Sequence, residues 1–122
     1  MLLVEEAYRL VRDFPKDERF GLASQMTRAA VSVPSNIAEG YGRGSRKDYV
    51  HFLRQALGSL YEFDTQLEIA VSLGFVERSD APSDHVDGVS RMLNSLIRKL
   101  DGKMPATRNP NPETRSNVFN EQ

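Results

Sequence analysis

Seven apolar residues in the middle of this 122-residue chain recur at alternating steps of four and three, and they constrain the fold more than any other feature. They are Tyr49, Leu53, Ala56, Leu60, Phe63, Leu67 and Ala70. Because an α-helix has about 3.6 residues per turn, this spacing brings all these side chains to one face. The pattern predicts a long amphipathic helix that begins after Ser45, a suitable N-cap with Asp48 in the first turn, and ends at Gly74.

Three other segments carry apolar residues at the same period. The first predicted helix ends at Pro15, and its apolar residues are Leu3, Ala7, Leu10 and Phe14. The second begins near Asp17, and its apolar residues are Leu22, Met26, Ala29, Val33 and Ile37. The last ends at Gly102, and its apolar residues are Val86, Val89, Leu93, Leu96 and Leu100. The period of each segment indicates one buried face per helix.

Pro34 lies inside the second predicted helix. Proline removes one backbone hydrogen bond and crowds the preceding turn, but the apolar phase carries through from Val33 to Ile37. We therefore expect a kink at Pro34, and expect the glycines that follow, from Gly40 to Gly44, to break the helix.

Residues 1–102 are expected to form a single domain. Four amphipathic helices with short joints predict an all-α, up-down-up-down four-helix bundle, left-handed because the apolar period is near 3.5. Residues 103–122 contain three prolines and four asparagines with few large apolar residues, so they predict a flexible, disordered tail.

Composition narrows the class of protein. The chain has no cysteine, which excludes a disulfide framework and cysteine-ligated zinc or iron–sulfur sites. No apolar run approaches the ~20 residues that span a bilayer. Glu5 and Glu6 stand near the start, where a signal peptide would carry positive charge. We expect a cytoplasmic protein with no membrane partner.

Polar side chains form a stripe beside the apolar seam on each of the two central helices. The stripe of the second helix is Arg28, Ser32, Asn36 and Glu39, and that of the third is Ser59, Glu62 and Gln66, roughly 100° from the seam on a helical wheel. Antiparallel packing would let Arg28 or Asn36 reach Glu62 and Gln66. A solvated face is the alternative. Small residues around the stripes favour a packed face, and another copy of the chain is the natural partner.

Catalytic patterns do not stand out in the sequence. A dimetal site in a helical bundle needs Glu-x-x-His on two helices. However, Glu39 and Glu62 are followed three residues on by Gly42 and Thr65. No cysteine nucleophile exists, and no Ser–His–Asp order is evident. We expect no catalytic residue, no metal and no cofactor, and a protein that is not an enzyme.

One short segment is locally basic. Residues 42–58 carry the four basic side chains Arg43, Arg46, Lys47 and Arg54 against the single acid Asp48. The glycines before them do not fit a nucleotide-binding loop, because a helix rather than a strand precedes them. Repeated in an oligomer, the segment would form a basic collar for a nucleic acid, which is the alternative to a solvated run of charge.

The middle of the chain resembles the bacterial four-helix-bundle family named after the protein encoded in intervening sequences of 23S ribosomal RNA genes. The matching landmarks are Phe14-Pro15, Glu18, Gln25, Arg28-Ala29-Ala30, Ser32, Asn36-Ile37-Ala38-Glu39-Gly40, Phe52-Leu53, Gly58-Ser59, Glu62 and Gln66. The resemblance covers roughly residues 3–100. The first helix is shorter here than is typical of the family.

The resemblance implies an all-helical bundle that assembles into a ring-like homopentamer. It also implies relatives that serve as accessory proteins of diversity-generating retroelements, in which a basic pentamer engages nucleic acid. The balance of charge here is acidic, with a net charge of −1. We therefore predict a non-enzymatic, homopentameric interaction or scaffold protein. The alternative is an RNA- or DNA-binding accessory protein that uses the loop between the second and third helices, and a protein partner is also compatible with the sequence.

Overall fold

Four α-helices and two short 3-10 turns lie within residues 2–102, the part of the chain that the computed structural model describes. The helices are α1 (Leu2–Val11), α2 (Leu22–Gly42), α3 (Arg46–Ser72) and α4 (Ser83–Asp101), and the turns are Lys16–Glu18 and Arg78–Asp80. Within this range no strand occurs, so the all-α prediction is confirmed. The predicted tail, residues 103–122, lies outside the described residues. None of the described helices is both long and apolar enough to cross a bilayer.

The start of α2 differs from the prediction. The helix begins at Leu22 rather than near Asp17, and Asp17 belongs to a separate 3-10 turn. Glu18 explains the boundary, because its Oε1 accepts a hydrogen bond from the backbone N–H of Leu22 at 3.2 Å. A carboxylate at this position satisfies one of the free N–H groups of the first helical turn.

The glycines at the end of α2 also behave differently from the prediction. Gly40 and Gly42 lie within the helix, so the expectation that Gly40 breaks it is wrong. Gly40 is buried, and a Cβ there would stand 2.7 Å from the Cβ of Phe52 in α3. Of Gly40, Gly42 and Gly44, the last alone has a left-handed backbone, with φ of 82°. Gly40 therefore provides space for α3, and Gly44 provides the turn.

Pro34 lies inside α2, which continues eight residues beyond it. The helix therefore does not end at the proline, and a kink there stays a prediction. At the start of α3, the Ser45 hydroxyl accepts a hydrogen bond from the N–H of Asp48 at 3.1 Å, which confirms the predicted N-cap. Gly102 follows α4 with a left-handed φ of 66°, a common way to end a helix.

The core combines the apolar seams of all four helices. The largest fully buried side chains are Phe63, Met26, Leu53, Leu60, Leu67, Leu93, Ile97 and Val86. Most members of the predicted seams are buried, and Leu10, Leu22, Ile37, Tyr49, Val89, Leu96 and Leu100 pack against that core while partly exposed. The apolar period of the sequence therefore identifies the buried faces.

Contacts between helices define how the bundle is connected. α3 and α4 run antiparallel, since Arg54 pairs with Asp101 at 3.1 Å and the Tyr61 hydroxyl lies 3.4 Å from that of Ser90. α1 packs on α2, and Glu6 of α1 contacts His85 at the start of α4. The up-down-up-down order and the left-handed sense of the whole bundle stay predictions.

Candidate functional site

One side of the α2–α3 pair is left uncovered by the other helices. α1 lies beside the flank of α2 that carries Thr27 and Pro34, as the cavities between the two helices show. α4 lies beside the flank of α3 that carries Arg54 and Tyr61. On a helical wheel, the polar stripe of α2 lies on the flank away from α1, and the polar stripe of α3 lies on the flank away from α4.

The link of three residues between α2 and α3 turns the chain back on itself, so both uncovered flanks lie on the same side. We call this side the outer face. Its members are Arg28, Ser32, Asn36 and Glu39 of α2, Ser59, Glu62, Gln66 and Ile69 of α3, and Leu73 directly after α3. By this helical-wheel argument, the two predicted stripes face the same side of the α2–α3 pair.

The stripe of α2 is satisfied largely within its own helix. Asn36 is half-buried and donates its Nδ2 hydrogen to the carbonyl oxygen of Ser32 at 2.8 Å. Glu39 is exposed and accepts a hydrogen bond from Arg43 Nε at 2.9 Å. Arg28 is exposed and makes no ion pair with any residue in the range 2–102. Arg28 is therefore a cation of this stripe that is not paired with an acid among residues 2–102.

The stripe of α3 contains a buried polar atom that is left without a partner. Gln66 is only 6% exposed, and its Oε1 accepts no hydrogen bond from any residue in the described range 2–102. Glu62, one turn earlier, is exposed, and Ser59 is half-buried. Continuing along the same flank, Ile69 is 44% exposed and Leu73 is 58% exposed. An unsatisfied amide oxygen therefore lies next to exposed apolar side chains.

Sequence reasoning missed Ile69 and Leu73 as members of this face. The signal was present, because Glu62, Gln66, Ile69 and Leu73 follow the 4-3-4 spacing of a helix–helix seam. This second seam lies about 120° around α3 from the core seam, at about 100° per residue. It was overlooked because its first members are polar and its last are apolar.

The predicted bridge between the two stripes is not formed within one chain. Across residues 2–102, no hydrogen bond or ion pair joins Arg28 or Asn36 to Glu62 or Gln66. Asn36 has a local partner instead, since its Nδ2 donates to the carbonyl oxygen of Ser32 one turn away, whereas Arg28 has no ion-pair partner in that range.

Some of the basic side chains in the segment of residues 42–58 are already paired with acids. Arg43 pairs with Glu39 and its guanidinium lies 5.0 Å from the ring centroid of Phe52, while Arg54 pairs with Asp101. Arg46 and Lys47, in the first turn of α3, are exposed and make no ion pair among the described residues. Two of the four predicted cations are therefore partly neutralised.

A bidentate ion pair joins α3 to the turn that follows it. Arg78 donates from Nη1 and Nη2 to the two carboxylate oxygens of Glu68, at 2.7 and 3.0 Å. This hydrogen bonding holds the pKa of Glu68 below its ordinary value and raises the pKa of Arg78. The pair lies on the flank of α3 away from the outer face, so it serves the joint between α3 and α4.

Each of the two histidines contacts a different polar side chain. His51 lies 3.1 Å from the Gln55 side chain, and His85 contacts Glu6. Over the described range no group of three histidine, cysteine, aspartate or glutamate side chains is arranged to hold a metal ion.

Comparison with known proteins identifies a family. The sequence pattern of the family described as 23S rRNA-intervening sequence protein matches residues 1–95. The match spans all of α1, α2 and α3 and most of α4. No individually curated protein matches the chain.

Proposed function

The chain belongs to the 23S rRNA-intervening sequence protein family, and on that premise we propose that it is a non-enzymatic, cytoplasmic protein that assembles with copies of itself and acts as an interaction scaffold. A homopentamer is the assembly that we propose. The observation that carries the proposal is Gln66, a buried amide whose Oε1 has no hydrogen-bond donor among residues 2–102.

A buried carbonyl oxygen without a donor costs about 1–3 kcal/mol, so such a position favours a neighbour that supplies one. The next residues along the same flank, Ile69 and Leu73, present apolar surface that a neighbour would also cover. Apolar burial stabilises association by roughly 25 cal/mol per Å². The polar and the apolar parts of the outer face therefore both favour association with a neighbouring copy of the chain.

The outer face carries the groups needed to recognise a second copy of itself. Arg28 is an uncommitted cation with several N–H donors, and Glu62 is an exposed anion. In an assembly, Arg28 of one copy would pair with Glu62 or donate to Gln66 of the next. A head-to-tail contact of this kind closes into a ring when the rotation between copies permits.

Light scattering on the purified full chain tests the assembly. We expect a molar mass near five times the 13.7 kDa of one chain. Ile69→Glu is expected to give the single-chain mass while circular dichroism stays helical, because a charge would then have to be buried in the interface. Met92→Glu is the matched control, since Met92 is a similarly exposed apolar residue on α4.

Charge reversal tests the proposed pairing. Arg28→Glu alone and Glu62→Arg alone should each weaken assembly, because like charges would face each other across the contact. The double variant should restore the mass, since each copy would again offer one cation and one anion. A wild-type chain of single-chain mass throughout a concentration series would overturn the proposal.

A second candidate is nucleic-acid binding by the basic segment Arg43, Arg46, Lys47 and Arg54, favoured by the exposure of Arg46 and Lys47 at the start of α3. Repetition around a ring would make these charges multivalent. Binding to mixed oligonucleotides should then fall steeply with salt and be lost on replacing Arg46 and Lys47 with glutamine. Absence of binding at low salt would remove this candidate.

A further inference from the structure

A cavity of about 430 Å³ opens where the end of α1, the turn Lys16–Glu18 and the start of α2 meet. We call it the joint cavity. Three cations, Arg12, Lys16 and Arg19, line it together with the exposed aromatic residues Tyr8 and Phe20. Its volume falls within the range of about 300–1,000 Å³ that is typical of small-ligand sites.

The cations of the joint cavity are not paired with acids in the described part of the chain. Arg12, Lys16 and Arg19 take part in none of the ion pairs found within residues 2–102. Arg19 instead lies over the ring of Phe20, at 5.3 Å from the ring centroid. This distinguishes the cavity from the basic segment at the start of α3, where two of the four cations are paired with acids.

The acids of the same segment do not neutralise the cavity. Asp13 and Asp17 are exposed and do not line it. Glu18 does not line it either, and its carboxylate is engaged by the N–H of Leu22. Among residues 2–102, the wall of the cavity therefore carries positive charge without a carboxylate in its lining, and an anion is the complementary ligand.

The aromatic residues narrow the class of anion. Phe20 is 87% exposed and Tyr8 is 53% exposed, whereas Phe14 is buried and packs on Phe75 with ring centroids 5.4 Å apart. Phe14 is therefore the buried aromatic residue of the lining, and Phe20 and Tyr8 are its exposed aromatic residues. Aromatic faces beside cations are the arrangement with which proteins hold single-stranded nucleic acids, by base stacking and phosphate contact.

We propose that the joint cavity binds a single-stranded nucleic acid, with a base stacked on Phe20 and phosphates held by Arg12, Lys16 and Arg19. The site lies at the opposite end of α2 from the basic segment at the start of α3, and it does not depend on the proposed assembly. Each phosphate contact would add to the salt dependence of binding, with a slope of about 0.7 per contact for a single strand.

Fluorescence anisotropy with a labelled oligothymidylate of about 12 nucleotides tests the site on the full chain. We expect binding that weakens steeply between about 50 and 200 mM salt. Phe20→Ala should weaken binding about tenfold with an unchanged salt slope, because it removes the stacking surface while Arg19, which lies over the Phe20 ring, keeps its charge. Replacing Arg12, Lys16 and Arg19 with glutamine should lower the slope by about 2.

Two control variants test whether the oligonucleotide binds at the joint cavity or at the other end of α2. Tyr41→Ala removes another highly exposed aromatic residue at the other end of α2, and the pair Arg46→Gln and Lys47→Gln removes exposed cations there. Neither should change the affinity for the oligonucleotide. Loss of binding in the Arg46 and Lys47 variant with retention in the Phe20 variant would overturn this proposal and favour the other site.

Three further results would also overturn it. The first is no binding by the wild-type chain at low salt. The second is a change in molar mass of Phe20→Ala by light scattering with unchanged binding, since Phe20 would then be a contact between copies. The third is equal affinity for thymidine monophosphate and for the oligonucleotide, which would indicate a nucleotide site rather than a strand site.

Discussion

Gly40 in α2 lies directly against Phe52 in α3, so that a Cβ on Gly40 would stand 2.7 Å from the Cβ of Phe52 and 3.2 Å from the ring of Tyr49. The three residues belong to the turns on either side of the α2–α3 link. The absence of a side chain at Gly40 therefore sets how closely the two longest helices approach each other at this end.

Gly40→Ala is expected to destabilise the chain by about 1–3 kcal/mol, because the methyl group must displace the backbone of one helix. This exceeds the gain of roughly 0.5–1 kcal/mol that alanine brings to a helix interior. Gly88→Ala, within α4, is the matched control, since nothing lies within 4 Å of a Cβ there. Urea unfolding followed by circular dichroism should rank Gly88→Ala above wild type and Gly40→Ala below it. The reverse order would contradict the close approach.

Ser45→Ala is expected to lower the free energy of unfolding by about 1 kcal/mol, because it removes the acceptor of the N–H of Asp48 at the start of α3. Ser45→Asp should keep most of the stability, since a carboxylate also caps a helix and favours its N-terminus. Ser35→Ala, at an exposed position in α2, serves as the control and should change the value by less than about 0.5 kcal/mol. Equal loss in Ser45→Asp and Ser45→Ala would argue against capping.

Glu68→Gln is expected to lower the melting temperature near neutral pH and to lose this effect in acid. Arg78 holds the pKa of Glu68 below its ordinary value of 4.5 in the folded chain. The ionised carboxylate therefore stabilises the fold above the ordinary pKa, and that contribution disappears as the pH falls through the lowered, folded-state pKa. The effect should be small and salt-sensitive because the pair is largely exposed. Thermal melts over a pH series, with Glu77→Gln as control, measure it, and a gap that persists in strong acid would contradict it.

His85→Ala is expected to increase amide hydrogen exchange in α1 while leaving α2 and α3 unchanged. α1 has ten residues, fewer than the ~12–15 that make an isolated helix even marginally stable, so it depends on contacts such as that between Glu6 and His85. Glu5→Gln, an exposed neighbour, is the control. Unchanged exchange in α1 of the His85 variant would indicate that packing on α2 alone holds this helix.

The bundle could be predicted from the sequence because burial follows the 4-3 spacing of apolar residues. The period in Leu53, Leu60 and Leu67 identified the core face of α3, and Ser45 and Gly102 identified helix ends whose chemistry is local. The family resemblance drawn from the residues is confirmed by the match over residues 1–95. Period and capping are short-range properties, and short-range properties can be read directly from a sequence.

Features that depend on contacts between helices could not be read in the same way. The role of Gly40 depends on where Phe52 lies, and glycine at a helix end is as typical of a turn as of a close approach. The pairing of Arg54 with Asp101 joins residues 47 positions apart. The joint cavity was missed because Arg12, Lys16 and Arg19 are interspersed with acids in the sequence, and only the fold separates the two signs of charge.

The link of three residues between the two longest helices has a consequence for the order of folding. Contacts between α2 and α3 near that link, such as Gly40 with Phe52, join segments close in sequence, so little chain entropy is lost in forming them. The contact of Glu6 with His85 instead closes a loop of 79 residues. Local contacts form faster, so the α2–α3 hairpin is expected to nucleate the bundle and α1 to dock last. Mutations beside Gly40 would then slow folding, and mutations in α1 would mainly speed unfolding.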